Sequence, residues 1–171
     1  KLAESEGFSG KWLFKPTRVS MYPFLTYSTQ RDLREKLYKS YIKRGDNDNE
    51  RDNKDIAIKM SDLRRLRANL LGFETHADFV LDNTMAKNTH RVKNLLDQVW
   101  KPGLNRAKKE AQEMQELIQG EGSNFNLEAW DWWYYSEKIR QLKYDFSEEE
   151  IKPYFEESKV LQGAFDVATK L

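Results

Sequence analysis

The sequence is 171 residues long, with 39% hydrophobic and 33% charged residues; 29 Lys and Arg face 28 Asp and Glu, for a formal net charge of +1. That length suits one ordinary domain with a real core, and the balanced charge leaves no global field to hold a nucleic-acid backbone. The absence of cysteine excludes disulfides, Cys-ligated zinc, iron–sulfur clusters and thiol nucleophiles.

No apolar run approaches the roughly 18 residues that cross a bilayer, so no membrane partner is expected. A cysteine-free chain suits the cytoplasm, with the periplasm as the alternative. With only 8 Gly and 4 Pro, few turns and long regular elements are expected. The 5 Trp, 8 Tyr and 9 Phe argue against intrinsic disorder.

Lys1 to Glu6 reads as the last turns of a helix, with Gly7 at the position that favours a left-handed backbone. Lys11-Trp12-Leu13-Phe14-Lys15 alternates polar and apolar between Gly10 and Pro16, which predicts a short strand. Val19 to Leu25 is interrupted by Pro23 and offers no good partner strand. The strand's edge is then free to pair with another copy or another segment.

Ser28 or Thr29 is expected to cap a helix carrying Leu33, Leu37, Tyr38, Tyr41 and Ile42 on one face, with Gly45 ending it. Asp46 to Glu50 is rich in oxygen donors, but Arg51 and Ala57 stand where a calcium loop needs Gly and Glu. A solvated loop capping the next helix is the better reading. That helix bears Ile56, Met60, Leu63, Leu66 and Leu70. Its Arg64, Arg65 and Arg67 share the segment with Asp52, Asp55 and Asp62, which points to a solvated face rather than a nucleic-acid site.

Thr75-His76-Ala77-Asp78 has the spacing of a capping box. Thr89 is expected to cap the longest helix, kinked at Pro102 and ended at Gly120 to Gly122. Asn126 is expected to cap a helix from Leu127 to Lys143. Its Trp130, Trp132, Trp133, Tyr134 and Tyr135 point all round the axis, so neighbours should enclose it on most sides. Ser147 to Glu150 forms a second capping box, and Ser158 a cap for a last helix with Val160, Leu161, Ala164, Phe165, Ala168 and Leu171 on one stripe. That stripe stops at Leu171 without a terminating residue, which suits a segment of a longer protein. No internal repeat or linker divides the chain, so residues 1–171 read as a single helical unit. The fold class is mainly α: an irregular multi-helix assembly with one short strand or hairpin near the N-terminus.

No self-contained active site emerges. The glycines form neither a phosphate loop nor a dinucleotide pattern. His76 and His90 are the only histidines, and both read as packing or capping residues rather than ligands. Asp131 reads first as a carboxylate near a helix N-terminus paired with Lys or Arg, and second as part of a ligand-lining surface, as do Tyr134 and Tyr135.

Several strings occur in a specific order: Leu70-Leu71-Gly72-Phe73, His76-Ala77-Asp78-Phe79-Val80-Leu81, Met85-Ala86-Lys87, Ala129-Trp130-Asp131-Trp132-Trp133-Tyr134-Tyr135 and Pro153-Tyr154-Phe155. Together they resemble the thimet-oligopeptidase-like zinc metallopeptidases, closest to the bacterial peptidyl-dipeptidase (Dcp) and oligopeptidase A branch. In that family a His-Glu-x-x-His helix and a later Glu carry the chemistry, with zinc held by the two His and the later Glu. This sequence has no such motif, so no catalytic or metal residue is carried onto it, and its substrate-binding residues are left open. The resemblance implies part of the largely helical, non-metal half of a peptidase whose zinc lies elsewhere. That half helps enclose a channel admitting short oligopeptides, and the segment alone is expected to be inert. Apolar faces left uncovered would favour non-native self-association. The alternative is a stand-alone helical protein-interaction module without enzymatic activity.

Overall fold

The computed structural model describes residues 2–144 and 148–171. Among these residues the chain is helical and contains no strand. Helix α1 spans Leu2–Ser5. It closes as expected, with Gly7 at φ 82° and the Phe8 N–H donating to the Ala3 carbonyl at 2.7 Å.

Lys11 to Lys15 corrects the sequence reading. The short strand or hairpin is not formed, because no described segment pairs with it, and these residues run without regular structure. Helix α2, Arg18–Tyr27, is a second difference, since it passes through Pro23. Proline removes one backbone bond there. Burial of Met21 and Leu25 on either side offsets that loss.

Helix α3 spans Arg31–Ile42 and starts after Gln30, slightly later than the expected Ser28 or Thr29 cap. Ser28 instead accepts from the Gln30 N–H through its hydroxyl, at 3.3 Å. Gly45, at φ 75°, turns the chain toward helix α4, Lys54–Leu70. The Asn53 N–H donates to the Gly45 carbonyl at 2.7 Å. Helix α5 spans His76–Asp82. Thr75 accepts from the Asp78 N–H at 3.1 Å, as a cap should, and its hydroxyl donates to the Asp78 carboxylate at 2.6 Å.

Helix α6 is continuous over Thr89–Gly120, through Pro102. Its cap is Asn88, whose side chain accepts from the Arg91 N–H, rather than Thr89. Helix α7 begins at Trp132, five residues later than expected, and runs to Tyr144. Helix α8, Glu148–Ile151, leads into a 3-10 turn at Lys152–Tyr154. The capping box expected to begin at Ser147 lies outside the described residues. Helix α9, Glu157–Lys170, is preceded by Glu156 rather than capped by Ser158. Ser158 instead donates its hydroxyl to the Glu156 carboxylate at 3.0 Å.

The core lies where α6 meets α7. Met114, Ile118 and Tyr135 are buried there, with Leu117, Phe125, Leu127, Trp132 and Ile139 packed around them. Gln115 fastens the segment before α7 onto α6: its amide donates to the Phe125 carbonyl at 3.0 Å and accepts from the Leu127 N–H at 2.8 Å. Helix α2 packs on both α3 and α7, and α5 contacts both α4 and α6.

The outer helices bury little. The predicted apolar stripe of α4 is present, but Ile56, Met60, Leu63, Leu66 and Leu70 are all exposed and only Ala68 is buried. Leu95, Leu96, Val99 and Trp100 of α6 are exposed as well. So are all described residues of α9. No helix of the described residues is long and apolar enough to cross a membrane.

Candidate functional site

Charged and aromatic side chains meet between α3 and α7. Asp131 sits just before α7, where its carbonyl accepts from the Tyr135 N–H at 3.0 Å. Its carboxylate is fully buried and turns back toward α3. It accepts from Arg31 Nε at 3.1 Å, Arg31 Nη2 at 2.9 Å, Arg34 Nη2 at 2.8 Å and the Glu128 N–H at 3.2 Å. Arg31 and Arg34 are three residues apart, so one face of α3 delivers both guanidinium groups.

Aromatic rings close this cluster. The Arg31 guanidinium lies 4.1 Å from the Phe125 ring centre, and that of Arg34 lies 4.3 Å from the Tyr134 ring centre. Arg34 is 1% exposed and also donates to the Ser28 carbonyl at 2.7 Å. Its Nε is buried with no hydrogen-bond partner among the described residues. Two arginines thus surround one fully buried carboxylate, Arg34 out of water and Arg31 partly exposed. The arrangement locks α3 to α7, with both Asp131 carboxylate oxygens engaged.

Asp131 therefore follows its first sequence reading, a carboxylate paired with arginine. The sequence reasoning missed Arg31 and Arg34. Their signal was present as two arginines on one face of a helix, but their partner stands about 100 positions away. The aromatic segment is enclosed as expected, with none of Trp130 to Tyr135 exposed. Tyr135 belongs to the core, and burial pushes its hydroxyl above the usual tyrosine range. Tyr134 packs against that core beneath Arg34.

A cleft of about 540 Å³ opens on the other side of α7, toward α2. Tyr22, Tyr27, Trp132 and Trp133 supply its apolar wall, and Ser136, Glu137 and Arg140 its polar one. The rings of Tyr22 and Trp133 lie 5.5 Å apart. Arg140 grips Glu137 through Nε at 2.7 Å and Nη2 at 2.8 Å, which holds the Glu137 carboxyl below the usual range.

The two histidines are far from these features. His76 opens α5 with its ring 6.3 Å from that of Phe79, and its Nδ1 is buried without a hydrogen-bond partner among the described residues. His90 is exposed in the first turn of α6, its Nε2 3.1 Å from the Asn94 amide nitrogen. No group of three or more His, Asp or Glu among the described residues could hold a metal. The oxygen-rich loop before α4 is occupied by a lysine. Lys54 Nζ reaches Asp46 at 2.9 Å, Asp48 at 2.6 Å and Asp52 at 3.0 Å. The described residues therefore offer no zinc site.

A family model described as peptidase family M3 matches residues 24–171. Dipeptidyl carboxypeptidase of Salmonella typhimurium is 31% identical over 170 residues, covering 99% of this chain and 25% of that protein. Oligopeptidase A of Haemophilus influenzae is 34% identical over 173 residues, covering 99% of this chain and 25% of that protein. Organellar oligopeptidase A of Arabidopsis thaliana is 28% identical, covering 95% of this chain and 21% of that protein. The chain spans about a quarter of the length of these curated relatives.

Proposed function

Since the chain belongs to peptidase family M3, we propose that it is a catalytically inert part of a larger zinc-dependent peptidase. The whole enzyme cleaves short oligopeptides and releases C-terminal dipeptides. The observation that carries this reading is the match to two bacterial peptidases across 99% of the chain. Dipeptide release follows the name of the Salmonella relative, dipeptidyl carboxypeptidase.

In this reading the zinc is held by polypeptide outside these residues, since the sequence has no His-Glu-x-x-His. What this chain contributes is a wall. The lock between Arg31, Arg34 and Asp131 fixes α3 against α7. Helix α7 then presents Trp132, Trp133 and the Glu137–Arg140 pair to the cleft beside α2. That mix of aromatic faces and a polar rim suits an extended peptide passing along it.

The uncovered apolar faces of α4 and of the first half of α6 support the same reading. Stripes of this size belong against other helices. In the whole enzyme the remaining polypeptide covers them. In the isolated chain they drive weak self-association.

The test is hydrolysis of a blocked oligopeptide by the full gene product, read by mass spectrometry with and without a zinc chelator. Dipeptide products that vanish on chelation, with the 171-residue chain alone inactive, are expected. Hydrolysis by the 171-residue chain alone would overturn the proposal.

A further inference from the structure

The segment Lys11 to Phe14 stands apart from every other part of the structure. Its residues are neither helical nor turned. Among the described residues, no main-chain N–H or carbonyl of these four residues takes part in a hydrogen bond. Only at Lys15 does the backbone find partners, with its N–H donating to the Ser20 hydroxyl at 3.1 Å. Trp12 is 91% exposed. An exposed aromatic beside four peptide groups without protein partners leaves main-chain groups open to pairing with another segment.

There is room beside it. A cleft of about 820 Å³ runs between this segment and the helices α2 and α3, lined mainly by Phe14, Phe24, Leu33 and Leu37. Phe14 and Phe24 anchor its floor, with ring centres 4.4 Å apart. Among the described residues, Lys11 and Lys36 are the charged groups on its lining, both positive. A second, smaller cleft of about 420 Å³ flanks the segment on the side of α1.

We propose that Lys11 to Lys15 is a docking edge for one extended strand of the same polypeptide, from outside these 171 residues. That strand pairs with the exposed peptide groups. It places an apolar side chain over Phe14 and Leu37, and acidic side chains against Lys11 and Lys36. Main-chain pairing supplies the affinity and the side-chain pockets the register. The inference rests on reading the chain as part of a longer peptidase, and the relatives' fourfold greater length provides for such a strand.

A second copy of this segment fits less well. Antiparallel self-pairing about Leu13 sets Lys11 opposite Lys15, and parallel self-pairing sets Lys11 beside Lys11. Like charges directly opposite destabilise a strand pair.

The test is amide hydrogen exchange on the full gene product and on the 171-residue chain. The amides of Trp12, Leu13 and Phe14 should exchange about 100-fold more slowly in the full product. Reversing both charges, with Lys11→Glu and Lys36→Glu, should remove most of that protection while the α6 and α7 amides keep theirs. Equal exchange in the two proteins would overturn the proposal. So would protection that appears in the 171-residue chain as its concentration rises, since the partner would then be a second copy. Peptide hydrolysis by the same preparation separates the two claims. Chelator-sensitive activity with unprotected amides defeats the docking edge alone. Protected amides without activity defeat the peptidase reading alone.

Discussion

Arg34 and Asp131 stand 97 positions apart in sequence and meet at 2.8 Å, with side chains 2% and 0% exposed. This pair is out of water and, with the partly exposed Arg31 beside it, holds α3 to α7. Removing the carboxylate leaves the buried Arg34 guanidinium without its counter-charge, which costs more than the pair itself contributes. Asp131→Ala is expected to destabilise the chain by about 3–5 kcal/mol. Chemical denaturation of the wild type and the variant measures this. Arg31→Ala should cost clearly less, because Arg31 is about one-third exposed and Arg34 would still pair with Asp131. Equal losses would contradict the ranking.

The helical content was legible in the sequence because it rests on local spacing. The period of Leu33, Leu37 and Tyr41, the glycine after α1 and the Thr75 cap all act over a few residues. The lock did not show, because nothing local ties Arg31 and Arg34 to Asp131. The start of α7 was misplaced for a similar reason. Gln115, on another helix, pins residues 125–127 and keeps them out of helical geometry. Lys11 to Lys15 shows the opposite failure. Its alternation is strand-like, but a strand needs a partner, and the described residues contain none.

The turn before α4 carries a pH dependence. Asp52 is pushed down to about 2 from 3.8, first by the Lys54 N–H it accepts at 3.0 Å, then by the Asp48 N–H at 2.8 Å and the Lys54 ammonium. A carboxyl lowered on folding stabilises the fold above its unfolded pKa and loses that effect as pH falls through its folded value. The first turn of α4 should therefore loosen between about pH 4 and pH 2. Amide exchange at Lys54 and Asp55 across that range checks this. Asp52→Asn should remove the dependence there.

Gly45 predicts a steric cost. It sits at φ 75°, and an added Cβ would lie 2.8 Å from the Asn53 amide nitrogen. Gly45→Ala should destabilise the chain by about 1–2 kcal/mol from the left-handed backbone alone. Thermal unfolding reads this. Gly103→Ala is the control, since open space surrounds that position within α6 and alanine favours the helix.

The exposed stripe of α4 predicts association of the isolated chain. Ile56, Leu63 and Leu66 present an apolar surface to water. Sedimentation of the 171-residue chain should show weak, concentration-dependent self-association. Leu63→Lys with Leu66→Lys should abolish it while helical content is retained, because neither side chain is buried. Persistence of association in that variant would place the contact elsewhere.

If these residues are one part of a peptidase, as proposed, the metal site lies in polypeptide outside them. Reading the coding sequence downstream of Leu171 tests it most directly. The account predicts an in-frame His-Glu-x-x-His segment with a later Glu. A stop codon close behind Leu171 would contradict it and leave a metal-free helical module.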